Sequence, residues 1–381
     1  MNSRCLFKIL KGIMRILFIT NHSYMLYQFH RELIFEMLCR GYKVIVVMPF
    51  VGHEDDFALM GVSCIQIEVD RRGTNPLRDL SLFWKYYKIL LTEKPDLVIS
   101  YSIKPNIYGG YACTLLKIPY CAHLQGLGTA FQSKFLDFIV SKMYKYALKN
   151  AKTVFWENEN EIEEFYKRGI LKKYQLTFTK GVGVNLDYFS YMSYPYNDQI
   201  HFLYLGRIMR EKGVNELFNA VERLRLEVGD RFVLDLVGFC EEKFEERIKK
   251  LVAGGGVIFH GFQSEPRDFY AQTDCIILPS YHEGMSCVLQ EAAAVGRPIL
   301  TSNIHGCLEA IDDGVSGFLV NARDSEDLYI KMKLFISIGR SERELMGCCG
   351  RTKMENEFDR RTVVNIVMNT LDQLGLVNQN D

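Results

Sequence analysis

Two doubly wound α/β domains are the fold this 381-residue chain predicts, and three observations predict it. Short apolar runs alternate with segments of helical period, the pattern of parallel strands covered by helices on both faces. The length exceeds the ~250–300 residues at which a single hydrophobic core stops growing. The alternation pauses once, over LTFTKGVGVNLDYFSYMSYPYNDQ (176–199), and then resumes. The boundary is expected there, with a first domain over 14–180, a linker over 181–200 and a second domain over 201–358. A C-terminal helix over 359–381 would return to the first domain.

The first domain opens with RILFIT (15–20), an apolar run of strand length. Met25, Phe29, Leu33 and Met37 then recur every four residues, as on an amphipathic helix. KVIVVM (43–48) is the next strand, followed by a helix near 77–93, DLVISY (96–101), a helix near 105–116 and IPYCAHL (118–124). The segment 131–152 (FQSKFLDFIVSKMYKYALKNAK) sets Lys134, Lys142, Lys145, Lys149 and Lys152 among Phe, Ile, Met and Tyr. It reads equally as a core-facing helix with a solvated lysine face or as an interfacial helix drawn to anionic lipid. The second domain repeats the scheme with HFLYLGRI (201–208), a helix near 213–227, FVLDLVGF (232–239) and a charged helix at about 241–252. VIFHGF (257–262), CIILPS (275–280), PILTS (298–302) and GFLV (317–320) follow, and helical patterns at about 324–337, 341–357 and 361–374 end the chain. Such folds bind ligands at the carboxyl ends of their strands, so the two domains are expected to face each other across a binding cleft.

Lys+Arg and Asp+Glu are equal at 46 each, which argues against nucleic acid as a partner. The equality is a cancellation. Residues 1–190 hold 25 Lys+Arg and 17 Asp+Glu, whereas 191–381 hold 21 and 29, so the halves are expected to meet different partners. Hydrophobic content of 48% with 24% charged residues excludes disordered, collagenous and coiled-coil chains. No run reaches the ~18 apolar residues of a spanning helix. Lys8, Lys11 and Arg15 interrupt the apolar N-terminus and no small-residue cleavage site follows, so it does not read as a signal peptide. Met14 directly precedes RILFIT, which makes residues 1–13 an upstream extension or a misassigned start. Eleven cysteines without a CxxC pair read as reduced, cytoplasmic thiols.

Several motifs are missing. There is no GxxxxGK[ST], HExxH, GxSxG or Asp-x-Asp, and Gly181-Val-Gly183 and Gly126-Leu-Gly128 lack the third glycine of a dinucleotide fingerprint. Glu68-Val-Asp70 is the nearest acidic pair, so no metal site is indicated. The informative segment is PSYHEGMSCVLQEAAAVGRPIL (279–300). Strand CIILPS ends at a polar turn containing Glu283, and a helix is expected from about Met285. Glu291 lies eight residues on, roughly 12 Å along a helix axis. Between the two carboxylates, the amides of Gly284, Met285 and Ser286 would stand at the positive end of that helix, ready for an anion. An ordinary helix start with a dipole-friendly Glu accounts for the same pattern. The second segment is YLGRIMREKGVNEL (204–217), where a strand ends at Gly206 and Arg207, Arg210 and Lys212 precede a helix. Together the segments favour a diphosphate site, because two carboxylates need a positive counterweight.

GRIMREKG (206–213), HGF (260–262) and Glu283-x7-Glu291 followed by Gly296-Arg297-Pro298 resemble the donor domain of glycosyltransferase family 4, which has the GT-B fold of two Rossmann-like domains. The resemblance implies a retaining, metal-independent glycosyltransferase with no tightly bound cofactor and a UDP-sugar as donor substrate. It implies that Arg207 and Lys212 hold the donor diphosphate, that Glu283 contacts the transferred sugar, and that Gly284, Met285 and Ser286 meet sugar and phosphates. Glu291 would bind the ribose; Gly206 ends the strand beside the diphosphate, and Gly261, Phe262 and Gln263 would line the base. The segment 100–131 resembles the subgroup that extends polyprenyl-diphosphate-linked sugars in capsule, O-antigen or N-glycan assembly, often from UDP-GalNAc or UDP-Gal. Lys104, Asn106, Gln125 and Gly126 would then face the acceptor and Asn21 the donor phosphates. Many relatives carry a histidine where this chain has Gln125; His123, two residues earlier, reads rather as a core residue.

Breaking a sugar–phosphate bond develops negative charge on the diphosphate, which fixed cations and helix amides offset. A double-displacement glycosidase would need both carboxylates about 5 Å apart, which Glu283 and Glu291 at helical spacing do not meet. The expected enzyme works in the cytoplasm, peripherally at the inner face of the plasma membrane. Another GT-B enzyme such as a nucleotide-sugar epimerase, or a non-catalytic GT-B scaffold, are the alternatives.

Overall fold

The computed structural model describes residues 13–71, 73, 75–124, 134–157, 159–172 and 175–377. Gln125 and Gly126, and the proposed extension up to residue 12, lie outside them.

The first sheet is built from runs of Val, Ile and Leu buried on both faces, as a parallel sheet requires. It comprises β1 (Arg15–Ile19), β2 (Lys43–Met48), β3 (Ser63–Gln66), β4 (Leu97–Tyr101), β5 (Tyr120–Leu124), β6 (Thr153–Trp156) and β7 (Leu176–Phe178). The order is β3-β2-β1-β4-β5-β6-β7, all parallel. The period of two assigns the faces. Ile16, Phe18, Val44 and Val46 point into one core with helix Ser23–Cys39, and Leu17, Ile19, Ile45 and Val47 into the other with helices Pro76–Glu93 and Lys134–Leu148. Three of these strands were not foreseen in the sequence. β3 (SCIQ) and β7 (LTF) are short, half-exposed edge strands without alternation, and β6 (TVFW) is only four residues long.

The second sheet comprises β8 (Ile200–Leu205), β9 (Phe232–Val237), β10 (Val257–Gly261), β11 (Cys275–Leu278), β12 (Ile299–Ser302) and β13 (Gly317–Val320). Its order, β10-β9-β8-β11-β12-β13, repeats the order of the first six strands of the other sheet. One continuous core, from Val184 to Phe358, holds it together.

The chain divides into two units, the described residues up to Val182 with those from Arg361, and residues 183–360. In the second unit its two terminal segments are tied to each other. The Val184 amide donates to the Phe358 carbonyl at 2.8 Å, the Arg360 amide to Val184 at 3.0 Å, and the Arg360 guanidinium to Gly183 at 3.0 Å. Helix Arg360–Gln373 continues into the first unit, where Val367, Met368 and Leu371 are buried with Leu26, Leu33 and Met37. Among the described residues no helix is long and apolar enough to cross a membrane.

Candidate active site

In the second unit β8 and β11 are neighbours that lead in opposite directions through the sheet, and such a switch point opens a crevice at the carboxyl ends. The two informative segments of the sequence leave the sheet here. Their loops are clamped together: the Tyr281 amide donates to the Glu211 carbonyl at 2.8 Å. At Gly213 (φ +70°) an added Cβ would lie 1.9 Å from the Pro279 carbonyl oxygen, so only glycine allows that approach.

The clamp brings Lys212 to Glu283. Lys212 Nζ donates to Glu283 Oε1 at 2.6 Å, and Ser280 Oγ donates to the same oxygen at 2.7 Å. Both members of the pair are largely buried, with side-chain exposures of 18% and 11%, so the interaction is screened less than a surface pair. The backbone of Glu283 is fixed from behind by Gly306 (φ +88°), where a Cβ would meet the Glu283 carbonyl oxygen at 2.4 Å. Arg207, at the end of β8, is more exposed. It pairs with Glu241 at 2.6 Å, and its carbonyl accepts from the Tyr204 hydroxyl at 2.7 Å. Gly206 donates its amide to Val237 at 3.0 Å.

The helix after β11 differs from the sequence expectation. It spans Cys287–Ala294 with Ser286 as its N-cap residue, rather than starting near Met285. The Ser286 amide donates to the Gly306 carbonyl at 2.8 Å, so it is not an open donor for an anion. Met285 packs on the core, and Gly284 lies in the turn before it. Because Glu283 stands outside the helix, the rise per residue does not set its separation from Glu291. Glu291 is 4% exposed and accepts from the Tyr270 hydroxyl at 2.9 Å. Burial pushes its carboxyl up to about 7, although that hydrogen bond opposes the shift. The residue after this helix's turn, Arg297, is fully buried. Its guanidinium donates to the carbonyls of Tyr270 (2.8 Å), Ser193 (2.9 Å), Met192 (3.0 Å), Gly296 (3.2 Å), Val295 (3.3 Å) and Ala271 (3.3 Å).

Gly261 (φ +66°) ends β10 beside an irregularity in its pairing with β9. Phe262 after it is exposed, with its ring 6.3 Å from that of Phe239 after β9. Gln263 donates its side-chain amide to the His260 carbonyl at 2.9 Å. Phe239, Tyr270, Glu241 and Gly306 were not singled out in the sequence, since each joins the site through a tertiary contact without a motif of its own; Ser280 joins it through the local turn before Glu283.

In the first unit, Asn21 after β1 accepts from the Ser102 hydroxyl after β4 at 3.0 Å. The two acceptor-side expectations nearby do not hold as drawn. Asn106 is fully buried and donates to the His123 carbonyl at 2.8 Å. Lys104 is mostly buried and pairs with Asp79 at 2.6 Å, because the first turn of helix Pro76–Glu93 brings that carboxylate to it. His123 is a core residue, stacked between Tyr101 (4.3 Å) and Phe155 (4.5 Å), and burial holds it well below the usual imidazole range. Among the described residues, no group of three or more His, Cys, Asp or Glu is placed to hold a metal ion.

Two units of matching parallel topology are the architecture of the GT-B fold. Residues 193–348 match the model of the family described as glycosyl transferases group 1, and residues 15–158 match that of glycosyl transferase 4-like domains. The chain belongs to the family 4 glycosyltransferases, and is an enzyme of that class. A curated relative from Campylobacter jejuni, an N,N'-diacetylbacillosaminyl-diphospho-undecaprenol alpha-1,3-N-acetylgalactosaminyltransferase, is 27% identical over 85% of this chain and 89% of its own. The capsular polysaccharide biosynthesis glycosyltransferase CapM of Staphylococcus aureus is 25% identical over 75% and 78%. Among solved structures, HepE of Anabaena in complex with UDP and glucose has a TM-score of 0.77 at 17% identity, over 94% of this chain and all (100%) of that one. A glycosyltransferase of Rickettsia africae has a TM-score of 0.76 at 19% identity, over 97% and 100%. These structures share the fold.

Proposed function

We propose that the protein transfers a hexose or N-acetylhexosamine from a UDP-sugar to a polyprenyl-diphosphate-linked saccharide during assembly of a bacterial-type surface polysaccharide. The observation that carries this reading is the Lys212–Glu283 pair at the β8–β11 switch point, flanked by Arg207. The names of the Campylobacter and Staphylococcus relatives support the lipid-linked acceptor and the pathway class, and the UDP-bound Anabaena structure supports the donor.

In this mechanism Lys212 and Arg207 stabilise the departing diphosphate, the largest electrostatic demand of the step. Fixed cations supply that stabilisation without a metal ion. Glu283, held by Lys212 and Ser280, accepts hydroxyls of the transferred sugar. Glu291 accepts the ribose hydroxyls and the exposed Phe239–Phe262 pair supports the base. Attack by the acceptor on the face the diphosphate leaves, with a donor phosphate oxygen taking the proton, would retain the anomeric configuration.

The enzyme would act peripherally at the inner face of the plasma membrane. Helix Lys134–Leu148 packs one face in the core through Tyr144, Ala147 and Leu148, and on its other face Phe138 and Tyr146 are exposed among the lysines, where they would meet lipid. Incubation with a panel of UDP-sugars and lipid-linked saccharides tests the proposal. Acceptor-dependent nucleotide release with matching glycosylation of the lipid is expected. Conversion of donor without acceptor would point to an epimerase, and no release from any donor would overturn the proposal.

A further inference from the structure

We infer that the first unit seats the hydrocarbon chain of an isoprenoid diphosphate in an apolar cavity beside a lysine-lined groove. This rests on the lipid-linked acceptor proposed above. The cavity, of about 680 Å³, lies between helix Pro76–Glu93, the helical segment 105–116 and helix Lys134–Leu148. Leu80, Phe83, Tyr108, Tyr111, Leu115 and Tyr146 line it. Its size falls in the range of about 300–1,000 Å³ typical of small-ligand sites.

Several of the polar atoms around it are already engaged. Tyr108 donates its hydroxyl to Asp79 at 3.0 Å, Lys104 pairs with the other oxygen of Asp79 at 2.6 Å, and Tyr111 donates to the Met143 carbonyl at 3.0 Å. What these side chains offer is ring and methyl surface, which a sugar would not satisfy and a branched hydrocarbon would. Leu80 and Leu115 are each more than half exposed, at 53% and 65%, so the apolar lining reaches the surface.

Tyr146 and Lys149 belong both to this cavity and to a second one of about 1060 Å³. Among the described residues that line the second, Lys142, Lys145 and Lys149 accompany Asp137, the carboxylate that pairs with Arg168. The remaining positive charge calls for an anion of more than one charge, and lysine ammonium groups suit phosphate as point charges. A free anion fits the groove alone and a neutral lipid fits the cavity alone. An isoprenoid diphosphate fits both, with the shared wall at Tyr146 and Lys149 between its two parts.

The chain carries its own reporter. Of its two tryptophans, Trp156 is fully buried while Trp84 is half exposed, with its ring 5.2 Å from that of Phe83 on the cavity wall. Titrating the full-length protein with farnesyl diphosphate should give a saturable change in Trp84 fluorescence, abolished as a signal in Trp84→Phe. Farnesol and inorganic pyrophosphate should each compete only weakly. Leu115→Glu and Lys145→Glu, both at surface-accessible side chains, should weaken binding at least about tenfold with circular dichroism unchanged. No saturable change, equal binding by both variants, or equal competition by phosphatidylglycerol vesicles would each overturn the inference. Binding that Leu115→Glu destroys, in a protein that glycosylates no lipid-linked saccharide, would sink the acceptor reading and leave the lipid site standing. Undiminished glycosylation of a lipid-linked acceptor by Leu115→Glu would do the reverse.

Discussion

The two units share one strand order and close their helices in the same way, but with different chemistry. In the second unit a buried cation, Arg297, gathers six carbonyls around the end of helix Cys287–Ala294. In the first, a neutral amide does the corresponding work: buried Gln175 donates to Ala151, Leu148 and Lys149 at 2.9, 3.2 and 3.4 Å, closing helix Lys134–Leu148. The switch points differ likewise. Lys212 and Glu283 face each other in the second unit, whereas Asn21 and Ser102 meet as neutral groups in the first. The first unit keeps its excess cations on outward helix faces. A common scaffold thus holds a charged, preorganised centre in the loops of one copy and an apolar, lysine-rimmed surface on the helices of the other.

This contrast can be broken at the helix ends first. Arg297→Met would remove the shared cationic donor of six carbonyls and should cost about 3–5 kcal/mol of stability, read by thermal and denaturant unfolding. Gln175→Ala should cost about 1–3 kcal/mol by the same measurement; equal costs would erase the distinction. At the switch points, Lys212→Met or Glu283→Gln should lower turnover about 10²–10³-fold, the scale of losing one preorganised electrostatic contact. Asn21→Ala should lower it less. The ordering of those rates decides which unit carries the chemistry.

A smaller effect is expected at Glu291. Burial raises its carboxyl from 4.5 to about 7. If its ionised form accepts the ribose hydroxyls, affinity for a UDP-sugar should rise about tenfold between pH 6 and pH 8. A UDP-sugar diphosphate has no proton titrating in that interval, so the profile reports the protein. The sign for folding is opposite: the folded chain holds a proton that the unfolded chain releases, so stability contributed here falls as pH rises from about 4.5 to about 7 and is level above. Glu291→Gln should flatten both profiles, checked by calorimetric titration and by melting across pH. Lys104→Met would deprive the largely buried Asp79 carboxylate of its cation and should cost about 1–3 kcal/mol of stability, read by the same unfolding measurements.

The fold was legible wherever a strand is central. RILFI, KVIVVM and CIIL carry continuous apolar runs because parallel strands are buried on both faces. SCIQ and LTF were not, since half-exposed edge strands carry neither a run nor an alternation. In the site, Lys212 and Glu283 stood out because each sits at a fixed offset from a strand end. Glu241 and Tyr270 could not stand out, because only the tertiary fold brings them to Arg207 and Glu291. Asn106 shows the opposite failure. A polar residue after a strand looks available for a ligand, and only the structure reveals the carbonyl of His123 that occupies it.

The most direct test of the account is the acceptor-dependent rate of nucleotide release from a UDP-sugar, measured for the natural protein and for Lys212→Met with matched circular dichroism and melting. The account predicts release by the natural protein and a loss of about 10²–10³-fold in the variant. A variant that keeps the natural rate would contradict it, because the pair at the β8–β11 switch point would then have no part in the transfer.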